Sequence, residues 1–229
     1  MYILYALLTA IATFIGGFLP FLPFFKKLDF TYLIGFSAGA MLSIAFFDIF
    51  PQISSENTIA FALGFFSIYV IEKFIIVHSC KEGKCDVHVV GWAALIGVAA
   101  ESLADGIAIA IGYIISPILG LVIALSVMIH ELPRGLTTTI IMKVSKYSFN
   151  KILFALAIDG GFTIIGALLA GVVPSHFFKH ILAFAAGTFL YIGATDLLPE
   201  VHKKFNIAAI ISVILGALAI ALLSMLIKI

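Results

Sequence analysis

Charge is what this chain lacks most. Only 11% of its 229 residues are charged, against roughly 25% in soluble domains. That poverty, with 63% hydrophobic residues and a mean hydropathy of +1.23, excludes a water-soluble domain. A net charge of +1 gives no basic surface for nucleic acid. Two cysteines, Cys80 and Cys85, build no disulfide framework. No glycine-rich phosphate-binding motif is present, so any energy input comes from a gradient and not from ATP. The segment from Met1 has neither a basic leader nor a small-residue cleavage site and is expected to be a retained helix.

What is present is length in apolar runs. A membrane-spanning helix needs about 20 apolar residues. Punctuation by Pro, Gly, Lys and Asn predicts an all-α polytopic membrane protein, one domain over 1–229. Its eight helices are expected at about 2–25, 30–52, 58–78, 90–114, 117–143, 149–172, 177–200 and 206–228. Lysines set the orientation, because cytoplasmic loops carry the excess of positive charge. With both termini external, Lys26, Lys27, Lys73, Lys81, Lys84, Lys143, Lys146, Lys151, Lys203 and Lys204 fall at cytoplasmic ends, and only Lys179 and Lys228 outside. A plasma-membrane location is the expectation. Trp92 and Tyr113 bracket helix 4 as interfacial aromatics, with His176 and His180 at the external end.

An internal repeat aligns helices 2 and 7 without gaps. Identities fall at Phe36/Phe184, Ala38/Ala186, Gly39/Gly187, Leu42/Leu190, Ile44/Ile192, Asp48/Asp196 and Pro51/Pro199. The lysine pattern runs these helices in opposite directions, so helices 1–3 and 6–8 form inverted triplets flanking helices 4 and 5. Inverted repeats with a midplane site are a transporter signature. Gly35, Gly39, Gly187 and Gly193 allow tight contacts, within the chain or in a homodimer.

Two polar motifs interrupt the central helices: Glu101-Ser102-Leu103-Ala104-Asp105-Gly106 and His130-Glu131-Leu132-Pro133-Arg134-Gly135. A charged side chain at the bilayer centre costs at least ~2.5–3.5 kcal/mol and therefore faces a partner, an ion or water. Glu101 and Asp105 share a helical face, as do His130 and Arg134. Helix 6 adds Asp159 before Gly160 and Gly161, and Pro133 frees a carbonyl near His130. Converging carboxylates and imidazole suit a divalent transition metal as substrate (Zn, Fe, Mn, Cd or Co), with no organic cofactor. The competing reading is a salt-bridge cluster of Arg134 with Glu131 or Asp159 that locks helices.

These motifs resemble those of the ZIP family of divalent metal transporters, which carry His-(Asn/Ser)-x-x-(Asp/Glu)-Gly on the fourth helix and His-Glu-x-Pro-x-(Gly/Glu) on the fifth. The resemblance implies a 3+2+3 arrangement, a metal path between helices 2, 4, 5 and 7, and delivery of metal to the cytosol. It implies ligands at Ser102, Asp105, His130 and Glu131, with Asp159 as the acid of the sixth helix. Glu101 departs from the family's histidine, and Arg134 stands where a glutamate often bridges two metals. Arg134 is therefore expected to replace a second cation, leaving one site of Glu101, Asp105 and His130. Four acids, one arginine and one divalent ion leave a single negative charge, which one proton cancels. Loss of a nitrogen ligand favours Mn or Fe(II) over Zn.

Asp48, and Asp196 with Glu200 and His202, are expected at the external and cytoplasmic mouths, collecting cations. Between helices 3 and 4, His78, Cys80, Cys85 and His88 form a short cytoplasmic loop (79–89) that either senses metal or is plainly solvated. A zincin-type enzyme is disfavoured because Arg134 occupies the last position of His-Glu-x-x-His. A non-transporting metal sensor, its path blocked by Arg134, is the alternative function.

Overall fold

The computed structural model describes residues 1–23, 31–81, 84–85, 87–144, 146–202 and 206–227. Among them are eight helices long and apolar enough to cross a membrane. Helix 1 (Tyr2–Phe18) ends in a tight turn, Leu19–Phe21. Helix 2 (Thr31–Ser43) continues through a π-helical turn, Ile44–Ile49, into Phe50–Gln52. Helix 3 (Thr58–Ser79), helix 4 (Val87–Ile115), helix 5 (Pro117–Val144) and helix 6 (Phe149–Leu169) follow. Helix 7 (Phe178–Tyr191) passes through a second π turn, Ile192–Leu197, and ends at Leu198–His202. Helix 8 spans Ile207–Ile227. In the connector after helix 3, backbone residues Cys80–Lys81 pair antiparallel with Lys84–Cys85. Lys26, Lys27, Lys203, Lys204 and Lys228 lie outside the described residues.

The two π turns were not expected from the sequence, yet they occupy equivalent positions of the repeat, in which Ile44 aligns with Ile192 and Asp48 with Asp196. A π turn inserts one residue into a helix and is frequent at functional sites. Hydropathy does not register it, because a π turn changes the hydrogen-bond register of a helix and not its composition.

Packing follows the same repeat. Helix 1 lies along helix 5 and helix 4 along helix 6; helix 2 lies along helix 8 and helix 3 along helix 7. Exchanging the triplets maps each pair onto its counterpart. Each pair is a close crossing with glycine on both partners. A Cβ at Gly39 would sit 1.9 Å from the Val213 carbonyl oxygen, and one at Gly216 1.9 Å from that of Phe36. Gly64 and Gly187 face the carbonyls of Phe184 and Phe61, Gly16 and Gly135 those of Leu132 and Thr13, and Gly106 and Gly166 those of Thr163 and Leu103. Such small-residue contacts drive association where lipid supplies no hydrophobic force. Gly35 and Gly193 also face neighbours within the chain, Ser212 and Leu42. These glycines are consumed by internal packing.

In space the helices therefore group as 1, 4, 5 and 6 against 2, 3, 7 and 8, joined mainly where helix 5 meets helix 2 and helix 4 meets helices 3 and 7. Outward faces are apolar: Ile59, Leu63, Phe66, Val70 and Phe74 follow one another along helix 3, all strongly exposed. Their spacing makes one helical stripe suited to lipid.

Candidate metal centre

The two motifs meet at the middle of helices 4 and 5. Asp105, His130 and Glu131 offer ligand atoms within 4.8 Å of one another, and all three are buried. His130 Nε2 lies 3.4 Å from Asp105 Oδ2 and 3.7 Å from Glu131 Oε1. Its other nitrogen, Nδ1, is 3.3 Å from the Ser126 carbonyl oxygen. A carbonyl only accepts, so Nδ1 carries the proton in that contact, and in the neutral ring the lone pair is then on Nε2. That nitrogen is buried and has no hydrogen-bond partner among the described residues. An imidazole oriented by a backbone carbonyl through its far nitrogen is the usual posture of a metal-binding histidine.

Arg134 fills the space beside this triad. One guanidinium nitrogen pairs closely with Glu131 and lies 3.3 Å from Asp105 Oδ2, 3.4 Å from Ser102 Oγ and 3.8 Å from Asp159 Oδ1. The other pairs closely with Glu101. Two hydroxyl-to-carboxylate bonds complete the frame. Thr13 of helix 1 donates to Glu131 Oε2 (2.5 Å), and Ser102 of helix 4 donates to Asp159 of helix 6. Both oxygens of Glu131 are thus engaged, one by Arg134 and one by Thr13. Asp159 Oδ2 has no hydrogen-bond partner among the described residues.

A second group lies one turn toward the start of helix 4, where Glu101, Glu72 of helix 3 and Asp196 of helix 7 bring ligand atoms within 4.8 Å. Tyr191 donates to Glu72 (2.7 Å) and Thr195 to Asp196 (3.0 Å). Glu101 thus joins the two groups. On the opposite side, toward the 115–117 connector, Met41, Ile44, Ile109, Ile123, Val127 and Phe189 form a fully buried apolar layer. The Phe189 ring lies 6.4 Å from that of His130. Beyond this plug is a cavity of about 150 Å³ lined by Ile49, Ile53, Ile115, Ser175, Phe178, Lys179 and Leu182.

The structure thus brings Glu101, Ser102, Asp105, His130, Glu131, Arg134 and Asp159 into one cluster. Asp196 stands beside it and not at a separate mouth. Asp48 does not line an open entrance: it is 1% exposed and accepts a hydrogen bond from Ser224 of helix 8 (2.8 Å). His202 is exposed, and His176 and His180 flank the Phe177 ring. Tyr113 packs on Tyr2 and Tyr5. The side chains of His78, Cys80, Cys85, His88, Trp92 and Glu200 lie outside the described residues. Sequence reading passed over Glu72 and Thr13. Glu72 carried a usable signal, an acid inside an apolar run; beside Lys73 it reads as a helix-end pair. Thr13 is one hydroxyl among many and carried none.

A family model described as "ZIP Zinc transporter" matches residues 77–224, which include the whole centre apart from Thr13 and Glu72. The chain belongs to the ZIP family. Among its relatives, the zinc transporter YKE4 of Saccharomyces cerevisiae is 23% identical over 228 residues, covering 80% of this chain and 66% of the relative. The zinc transporter ZIP13 of Pongo abelii is 25% identical over 148 residues (62% and 44%), and the metal cation symporter ZIP14 of Homo sapiens 25% over 119 residues (52% and 24%). The chain spans about a quarter of the length of the ZIP14 relatives that it matches. As a ZIP member it is an integral membrane protein of eight spanning helices.

Proposed function

We propose that the chain carries a divalent transition-metal ion through the membrane into the cytosol by alternating access, from a single site of Asp105, His130 and Glu101. The observation that carries this reading is the buried, unpartnered Nε2 of His130, held 3.4 Å from a carboxylate oxygen by a carbonyl behind its ring. A histidine kept only for packing has both nitrogens satisfied or exposed. The relatives named as zinc transporters and metal cation symporters support the substrate class.

Arg134 takes the place of a second metal. Its guanidinium is shared among four carboxylates, and a metal reaching Asp105 and Glu101 displaces it toward Glu131 and Asp159. Glu131, held by Thr13, serves as the arginine's counter-ion, and Ser102 orients Asp159 in the same role. With the lysine-rich connectors in the cytoplasm and both termini external, the apolar plug closes the outer side. Glu101 then leads through Glu72 and Asp196 to the cytoplasmic end of helix 7, where His202 and Glu200 follow. The ligand set of two carboxylates and one imidazole accommodates Zn, Fe, Mn, Cd and Co and favours the harder ions, Mn and Fe(II). A plasma-membrane location and an ion gradient as driving force complete the reading.

Uptake of radioactive zinc and manganese into proteoliposomes tests it. Wild-type chain is expected to accumulate at least one of the ions, and Asp105→Ala and His130→Ala to lose both binding and uptake. Binding without flux, with flux appearing in Arg134→Glu, supports the alternative of a metal sensor plugged by its arginine. Intact binding and uptake in the alanine variants refutes the site.

A further inference from the structure

Pro133 lies inside helix 5, where it has no N–H to give to the carbonyl four residues back. That carbonyl belongs to Ile129, the residue before His130. In a lipid-embedded interior a carbonyl without a donor is costly, because no water replaces the missing bond. The donor comes from another helix. Ser37 of helix 2, fully buried, gives its hydroxyl to Ile129 O at 2.9 Å.

The bond spends a buried hydroxyl on the main chain of another helix. Buried hydroxyls in helices ordinarily return to a carbonyl of their own helix. Thr9 does so to Tyr5, Thr188 to Ala185 and Ser212 to Ala209. Ser37 instead crosses to helix 5, and helix 5 answers it: Ser126 gives its hydroxyl to Ala40 O of helix 2 at 3.3 Å. Ser37 and Ala40 are nearly one turn apart, as are Ser126 and Ile129, so the two bonds form a reciprocal clamp between the helices. Ser126 is also the residue whose carbonyl accepts from His130 Nδ1. One arm of the clamp therefore ends at the residue before His130, the other at the residue that orients its ring.

We infer that Ser37 is a positioning residue for the metal centre: its hydroxyl caps the Ile129 carbonyl that Pro133 leaves without a donor, and so fixes where His130 Nε2 points. This rests on the metal-binding reading of the centre and adds a requirement to it. Helix 2 contributes no ligand of its own there, yet its register against helix 5 sets the ligand geometry. Sites of this kind need their groups held within ~0.5 Å, and the partners behind a ligand change metal affinity by about 10–100-fold when removed.

The experiment is a double-mutant cycle on the purified full chain in detergent, read by Mn²⁺ and Zn²⁺ titration calorimetry and by thermal melting. Ser37→Ala is expected to raise the metal Kd roughly tenfold, equivalent to ~1.4 kcal/mol. Ser37→Thr, which keeps the hydroxyl, is expected to stay close to wild type. Pro133→Ala restores an N–H to Ile129 O. In that background Ser37→Ala is expected to change Kd less than about twofold, because the cap has become redundant. An equal Ser37→Ala effect in both backgrounds overturns the inference, as does no effect with Pro133 in place. Should Pro133→Ala not fold, Ser37→Cys decides: its thiol is a weak donor of similar size, so a Kd between those of Ser and Ala is expected, and a wild-type Kd overturns the inference. A wild-type chain that binds neither ion sinks the metal reading and with it this role. The melting cycle tells that failure apart, since coupling between Ser37 and Pro133 then persists without metal.

Discussion

Replacing Arg134 by glutamine removes the only arginine or lysine that the described residues place among Glu101, Asp105, Glu131 and Asp159, and, on the proposed single-site reading, is expected to let the centre take a second ion. In the intact chain the guanidinium lies within 4 Å of all four carboxylates, three of them at most 1% exposed. Removing one partner from a buried ion pair costs about 3–5 kcal/mol, because it strands the other charge. For a chain of this size each kcal/mol moves the melting midpoint by about 2–4 °C, so metal-free Arg134→Gln is expected to melt about 6–20 °C below wild type. The stranded acids then recruit a cation. At a divalent ion concentration a hundredfold above its Kd, binding returns ~2.7 kcal/mol, and the variant recovers much of its loss while wild type gains from one ion only. Thermal melting in detergent with and without Mn²⁺, alongside metal content by elemental analysis, reads both quantities. If metal-free Arg134→Gln melts within a degree or two of wild type, or still takes up one ion per chain, the reasoning that the arginine stands in for a metal is wrong.

Metal affinity should fall steadily as pH drops from about 7 to 5, since protons compete for the same lone pairs on His130 and the carboxylates and metal binding releases them; affinity unchanged over that range would remove His130 as a ligand. Gly39→Val places carbon where the Val213 carbonyl oxygen already lies, 1.9 Å from the new Cβ; the yield of monodisperse protein should drop sharply, whereas Leu63→Val on the lipid-facing side of helix 3 should leave it unaltered. Deleting 79–89 and rejoining helices 3 and 4 with a short glycine–serine linker should keep uptake in either case; its dependence on metal supply should change if the Cys/His loop senses metal and stay as it was if the loop is merely solvated.

The helices were legible in the sequence because lipid imposes a single rule on length and hydropathy, and the observed spans match the expected ones to within a few residues at most ends. The four titratable residues of the helix 4 and 5 motifs that line one face, Glu101, Asp105, His130 and Arg134, were legible for a related reason: spacing of four on a helix fixes a common face, whatever surrounds it. What lies between elements was not. Nothing in the spacing of helix 1 selects Thr13, and Ser37 differs from other serines only by facing a carbonyl that a proline on another helix has stripped of its donor. Asp48 illustrates the opposite error. It shares its repeat position with Asp196, but equivalent positions in the two triplets meet different neighbours: Ser224 on one side, Glu72 and Glu101 on the other. The grouping of helices as two sets of four escaped the sequence for the same reason, being written in glycines scattered over all eight helices and visible only as reciprocal contacts.

Because the paired helices touch through main-chain atoms at glycine, the crossings themselves use none of the side chains that face outward. A version of this chain made for aqueous solution can therefore be designed by exchanging outward residues such as Ile59, Phe66 and Val70 for glutamine or lysine while the crossing glycines stay untouched. Spectroscopy on such a variant would reach the cluster of Asp105, His130 and Glu131 without micelles.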